Sequence, residues 1–181
     1  MPIYCDNKII VELKSKVELE KFLGDVKLSE EQFFSFQKIS PVDESIEAEE
    51  DIEDWKWKMW GTNMDSFLFN EKFNIEKSKF FDEIYTVSLF FSTNLSTPSE
   101  IAKKISSLYA NCQVTLKYFN QVLKFFGEEV YLSGMQIFDK HFEEDSVNSE
   151  EGRKYLYSES FDWEPLAFEN IPFENLTIQN A

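Results

Sequence analysis

Glu83-Ile84-Tyr85-Thr86-Val87-Ser88-Leu89-Phe90-Phe91-Ser92-Thr93, followed four residues later by Thr97-Pro98-Ser99-Glu100, is the stretch that decides the fold. Tyr85, Val87, Leu89 and Phe91 alternate with Thr86, Ser88 and Phe90, which is the period of a strand with one face in a core. Thr97 then offers an N-cap, Pro98 suits a first helical position, and Glu100 has the spacing of a capping-box glutamate. Ile101, Ile105, Leu108 and Tyr109 recur at i, i+4, i+7 and i+8, one face of an amphipathic helix. Residues 111–118 alternate again, so strand, helix, strand follow one another. Upstream, Lys8–Leu13 reads as a strand and Ser15-Lys16-Val17-Glu18 as a capping box opening a helix. Val17, Leu19, Phe22 and Leu23 give that helix an apolar side, and Gly24 supplies its stop. Phe33–Ile39 is β-type in composition and ends at Ser40-Pro41. Two further strands are expected at Val122–Phe126 and Glu129–Phe138. Two strand-helix-strand units in series predict an α+β, ferredoxin-like split βαβ sheet, antiparallel, with helices on one face.

The charge is unevenly placed. The 181 residues hold 34 acids and 18 bases, for a formal charge of -16. Residues 43–54 carry eight acids and no base, and residues 139–174 carry eleven acids and three bases, so each segment holds -8 and the rest of the chain is neutral. The expected organisation is a ferredoxin-like domain over 1–138 with an acidic insertion at 41–60, and an acidic, aromatic-containing extension over 139–181. Binding to nucleic acid through a basic surface is excluded by this balance, and Arg153 is the sole arginine. With 19 Phe and 17% aromatic residues, a wholly disordered acidic chain is excluded too. No apolar run reaches the roughly 20 residues that span a membrane, and Met1-Pro2-Ile3-Tyr4-Cys5-Asp6 lacks the pattern of a secretory leader, so a cytoplasmic protein is expected. Cys5 and Cys112 are too few for a disulfide framework or a zinc site, and reduced thiols are expected.

Tyr4-Cys5-Asp6-Asn7, Phe36-Gln37-Lys38-Ile39-Ser40-Pro41, Trp60-Gly61-Thr62-Asn63-Met64-Asp65, Phe91-Ser92-Thr93 before Ser96-Thr97-Pro98, and Tyr118 with Phe126-Gly127 stand in an order that resembles the YubB-type ferredoxin-like domain. The resemblance spans roughly residues 4–136. It departs from the family at Met64 and Leu95, where tryptophans tend to stand. It implies the ferredoxin-like fold and a setting among phages, plasmids and other mobile elements. The family has no agreed catalytic residues, so no active site is carried over.

Asp43, Glu44, Glu47, Glu49, Glu50, Asp51, Glu53 and Asp54 run directly into Trp55, Trp57 and Trp60. Acids that guide approach and tryptophans that anchor suit a surface for a basic partner. The competing reading buries the tryptophans, as one alternating strand face plus an end residue, beneath a solvated loop. Trp60–Asp65 reads as a pocket wall with Asp65 among its polar groups, or as a turn in which Asp65 bonds to its own backbone. His141, the single histidine, lies among Lys140, Glu143, Glu144 and Asp145 and reads as exposed, which argues against histidine-dependent catalysis. Glu12 with Lys14 and Asp25 with Lys27 have the acid-x-Lys spacing of a metal-dependent nuclease, with no second acid fixed by sequence. The tail Phe161–Leu176, with Pro165, Pro172 and the near-repeat Phe168-Glu169-Asn170 and Phe173-Glu174-Asn175, reads as an extended segment in a groove of a partner, of a second copy, or of this chain's own sheet.

The expectation is a non-enzymatic mobile-element protein whose acidic surface occupies the basic groove of a host nucleic-acid enzyme, such as a CRISPR effector nuclease. No catalytic residue, metal or cofactor is assigned, and neither direct DNA binding nor membrane contact is expected. The alternatives are a metal-dependent nuclease or RNA-processing factor acting on a ribonucleoprotein, and a structural homo-oligomer, with a homodimer as its simplest form.

Overall fold

A computed structural model of the chain describes residues 3–29, 32–78, 83–109, 111–120 and 122–143. In chain order the elements are β1 (Tyr4–Leu13), α1 (Lys16–Val26), α2 (Phe36–Ile39), α3 (Glu49–Trp60), β2 (Phe67–Lys77), β3 (Tyr85–Asn94), α4 (Ser99–Leu108), β4 (Gln113–Asn120), β5 (Phe125–Leu132) and β6 (Met135–Phe142). The strands form one sheet in the order β2-β3-β1-β4-β5-β6, and every neighbouring pair is antiparallel. The run β2-β3-β1-β4, with α1 between β1 and β2 and α4 between β3 and β4, is the split βαβ plan. The protein is thus a ferredoxin-like domain whose sheet is widened by the β5–β6 hairpin.

Register sorts the side chains into two faces. Val11 stands between Val87 and Val114, Ile9 between Leu89 and Leu116, and Asn7 between Phe91 and Tyr118. These rows meet Leu19, Phe22 and Val26 of α1, Phe36 and Ile39 of α2, Trp60 of α3 and Ile101 and Ile105 of α4 in one core. The opposite face carries Phe90, Lys8, Lys117, Phe119 and Phe126.

Several local expectations hold. Ser15 Oγ accepts the Glu18 N–H at 3.1 Å, and Glu18 Oε2 returns to the N–H of Lys14 at 2.8 Å. Ile101, Ile105 and Tyr109 are buried as their spacing requires, while Leu108 is exposed. The helix α4 starts one residue late. Pro98 takes the cap position and Thr97 Oγ1 pairs with Ser99 Oγ at 2.9 Å.

Other expectations are corrected. The strand expected at Phe33–Ile39 does not exist; the chain there is a loop and the short helix α2, and the second strand of the split unit is residues 67–77. The aromatics of 33–39 reflect core packing, since Phe34 lies 5.5 Å from Phe36 and 4.9 Å from Phe91, ring centre to ring centre. Gly24 does not stop α1, which continues to Val26, and Val17 is exposed. The strands expected at 122–126 and 129–138 are 125–132 and 135–142, turning at Ser133-Gly134 where both residues have positive φ, 51° and 78°. Since β6 runs to Phe142, the first residues of the stretch assigned to the extension belong to the sheet.

Candidate functional site

The acidic stretch is a turn followed by a helix. Asp43 Oδ1 accepts the backbone N–H of Ser45 at 2.9 Å and its hydroxyl at 2.7 Å, and these bonds hold the Asp43 carboxyl below the usual carboxylate range. Ala48 caps α3 without a side-chain bond, so its first-turn N–H groups are met electrostatically by Glu49, Glu50 and Asp51. Such charges at a helix N-terminus stabilise it by about 0.3–1 kcal/mol each. Asp43, Glu49, Glu50 and Asp51 therefore have a local reason to be there.

The helix has two sides. Ile52 and Trp55 are partly buried and Trp60 is buried, turned toward the core and α4. Glu50, Glu53, Asp54 and Trp57, at i, i+3, i+4 and i+7, are exposed. All eight acids are exposed, and among the described residues none is in an ion pair. Trp57 keeps 37% of its surface, and Met59 and Met64 are exposed in and just beyond the helix. The outer side of α3 is an anionic ridge ending in an exposed tryptophan.

The ridge is fixed by the joint at its C-terminal end. Trp60 Nε1–H donates to the carbonyl of Ser40 at 2.8 Å, and the ring packs edge-on against Phe36 and Trp55. Gly61 ends α3 in the left-handed region, at φ 82°. A Cβ there would meet the carbonyl oxygen of Thr97 at 2.8 Å, so only glycine admits both the turn and the contact. Thr62 Oγ1–H donates to the carbonyl of Asn94, Asn94 Nδ2 donates to Asn63 Oδ1, and Asn63 Nδ2 reaches Glu53. Asp65 accepts the Ser35 hydroxyl and the Phe36 N–H, each at 2.6 Å, and the N–H of Ser66 at 2.7 Å.

The residues named from sequence thus part company. Trp60 is withdrawn from the partner surface because it is 2% exposed and bonded to Ser40. Asp65 is withdrawn because its carboxylate anchors the start of α2. Trp55 is half-covered, and Trp57 alone of the three is at the surface. The strand alternation proposed for buried tryptophans is replaced by a helix, whose period puts Trp57 opposite the half-covered Trp55. Asp25 is engaged by the Tyr109 hydroxyl at 2.7 Å. Among the described residues no group of three His, Cys, Asp or Glu could hold a metal ion, and no helix is long and apolar enough to cross a membrane. Both cysteines are free and buried; burial pushes the Cys112 thiol up to about 12 and the Cys5 thiol well above its ordinary value. The tail expectations lie outside the described residues.

Sequence reasoning missed one cluster. His141 is exposed, yet its Nδ1 lies 2.9 Å from the Tyr118 hydroxyl, over Gly127. On the same face Glu129 accepts from Tyr131 at 2.7 Å and from Ser99 at 3.1 Å. Burial, with Asp139 adding repulsion, raises the Glu129 carboxyl above the usual range, and burial likewise raises the Tyr118 and Tyr131 hydroxyls. These groups come from several elements, and no local motif joins them. Every hydroxyl in the cluster already has a partner within the fold.

Residues 69–158 match the family model described as a ferredoxin-like domain in Api92-like protein. The match begins within β2 and leaves β1 and α3 outside it. Among solved structures, the protein Api92 from Yersinia pseudotuberculosis is similar with a TM-score of 0.41 and 13% identity, over 56% of this chain and 32% of that one. This chain therefore spans about a third of that protein's length. No curated protein matches.

Proposed function

We propose that the protein is a phage or mobile-element accessory protein that binds and inhibits a host nucleic-acid enzyme, its acidic α3 ridge entering a basic groove that otherwise holds phosphates. The observation that carries this reading is the outer side of α3 with its preceding turn: eight exposed acids, none neutralised by a described base, ending at exposed Trp57. Spaced carboxylates steer a cationic cleft at long range, and a tryptophan in a pocket supplies contact energy that charge alone does not. The order of blocks that resembles the YubB-type domain supports the mobile-element setting. A CRISPR effector nuclease has the groove this surface would fit.

Affinity capture from a host lysate with the full chain, followed by binding measured across salt, tests this. A nucleic-acid enzyme should be recovered, and its affinity should fall as salt rises. Replacing the eight acids by Asn and Gln should weaken binding at least about tenfold and flatten the salt dependence. Recovery of no such enzyme, or a variant with unchanged affinity and salt slope, overturns the proposal.

A further inference from the structure

The four helices lie on one face of the sheet, yet the other face is buried at one end. Phe126 is 0% exposed, Phe119 2% and Phe142 8%, and none of the three belongs to the helix-side core. They form one row, Phe119 opposite Phe126 and Phe126 opposite Phe142, with the Phe126 and Phe142 rings stacked at 4.8 Å. In the next row Lys8 and Lys117 are 6% and 8% exposed. The cover is graded. One row further, Phe138 is 46% exposed, and Met135 at the hairpin tip is 65% exposed. Burial is deepest beside Phe142, where β6 ends and the chain moves on toward residue 144.

We propose that this face, opposite the helices, is the docking surface for the chain's own acidic C-terminal segment, residues 144–181. Three observations choose this occupant. The segment departs from the buried end of the face, whereas residues 79–82 join β2 to β3 at the opposite strand ends. It is long enough: at roughly 3.3 Å per residue, 144–181 outreaches a six-stranded sheet with strands about 4.8 Å apart. Its chemistry is complementary, since nine acids against Arg153 and Lys154 are interleaved with Phe161, Trp163, Phe168 and Phe173. The face offers Lys8, Lys117 and Lys140, with Asp6 and Glu128 in the same rows, among Phe90, Phe119, Phe126 and Phe142, and Lys8 lies over Phe90 and Lys140 over Phe142 at 5.1 Å. Docked there, the tail charge sits on the side of the sheet away from α3, so the ridge and the tail are separate surfaces.

Zero-length carbodiimide cross-linking of the full chain, as a mixture of natural and ¹⁵N-labelled protein, tests this. Cross-links should join Lys8, Lys117 or Lys140 to acids of 144–181 within one chain. In a full chain with those nine acids replaced by Asn and Gln, acylation of Lys117 should speed up by about tenfold or more relative to exposed Lys16. Cross-links between light and heavy chains would assign the face to a second copy and overturn the proposal. So would a tail that never cross-links to these lysines, or a Lys117 that stays slow in the neutralised variant.

Discussion

Residues 43–57 and residues 60–65 are neighbours in sequence with similar chemistry, acids and tryptophans close together, and the fold gives them opposite work. The first segment exposes all its acids on a turn and a helix. The second buries Trp60 and Thr62 and spends Asp65 on three hydrogen bonds at or under 2.7 Å. The boundary between them is Gly61. Its left-handed φ turns the chain under α4, so the acids before it on the outer side of α3 stay in water, while Thr62 and Asp65 after it become scaffold. A residue type that suits binding therefore says little until the turn that aims it is known.

The largest test of that contrast is a pair of tryptophans three residues apart. Trp60→Ala should destabilise the domain by about 3–5 kcal/mol, through lost packing and an orphaned Ser40 carbonyl. Trp57→Ala should change stability by no more than about 0.5 kcal/mol. Urea unfolding of both variants measures this. Equal effects would break the comparison, because Trp57 would then be part of the scaffold.

Much of the scaffold was legible because it rests on local periodicity. The alternation of 85–91, the 101–109 helical face and the Ser15–Glu18 cap are each short-range signals, and each is found in the fold. The second strand was not legible at its true place. Phe33, Phe34 and Phe36 imitate a strand, while the alternation of Phe67, Phe69, Phe73 and Ile75 in sequence is interrupted by Glu71, and the pairing with β3 shifts register between Phe67 and Lys72. The hairpin turn went to Ser133-Gly134 because positive φ at both residues, rather than apolar content, decides where strands reverse. Of the candidate site, the acids were legible as charge. Which tryptophan faces water was not, because that depends on reading 49–60 as a helix with period 3.6 rather than a strand with period 2. The Tyr118–His141 contact rests on β5 bringing Gly127 between β4 and β6, a long-range pairing no window of sequence contains.

Asp65→Asn sharpens the comparison at the second level. The amide keeps one acceptor but removes the charge that holds the Ser35 hydroxyl and the Phe36 N–H. The loss should be about 1–2 kcal/mol, comparable to removing a helix cap, with α2 the first element to show faster hydrogen exchange. Asp54→Asn, on the exposed side, should leave stability unchanged within about 0.5 kcal/mol. Equal losses would mean that Asp54 has a structural partner too.

The smallest effect separates buried from exposed acids by pH. Burial raises the Glu129 carboxyl, so the folded state holds that proton more tightly than the unfolded chain. Its favourable contribution is full below the ordinary glutamate range and is lost as pH rises through the elevated folded value. Asp43 moves the other way. Ser45 lowers its carboxyl, so its contribution is present above the ordinary aspartate range and is lost as pH falls. Glu129→Gln cannot ionise, so whatever the substitution costs in hydrogen bonds to Tyr131 and Ser99 is constant. Its stability relative to the parent should therefore improve as pH rises from about 4 to about 7. Asp43→Asn, compared in the same way, should lose ground to the parent over that interval, and by less, since the group is in water. Denaturant midpoints at a series of pH values read both slopes. A Glu129→Gln difference that stays flat, or slopes with Asp43→Asn, would show that burial does not govern that acid and that the two regions differ only in position.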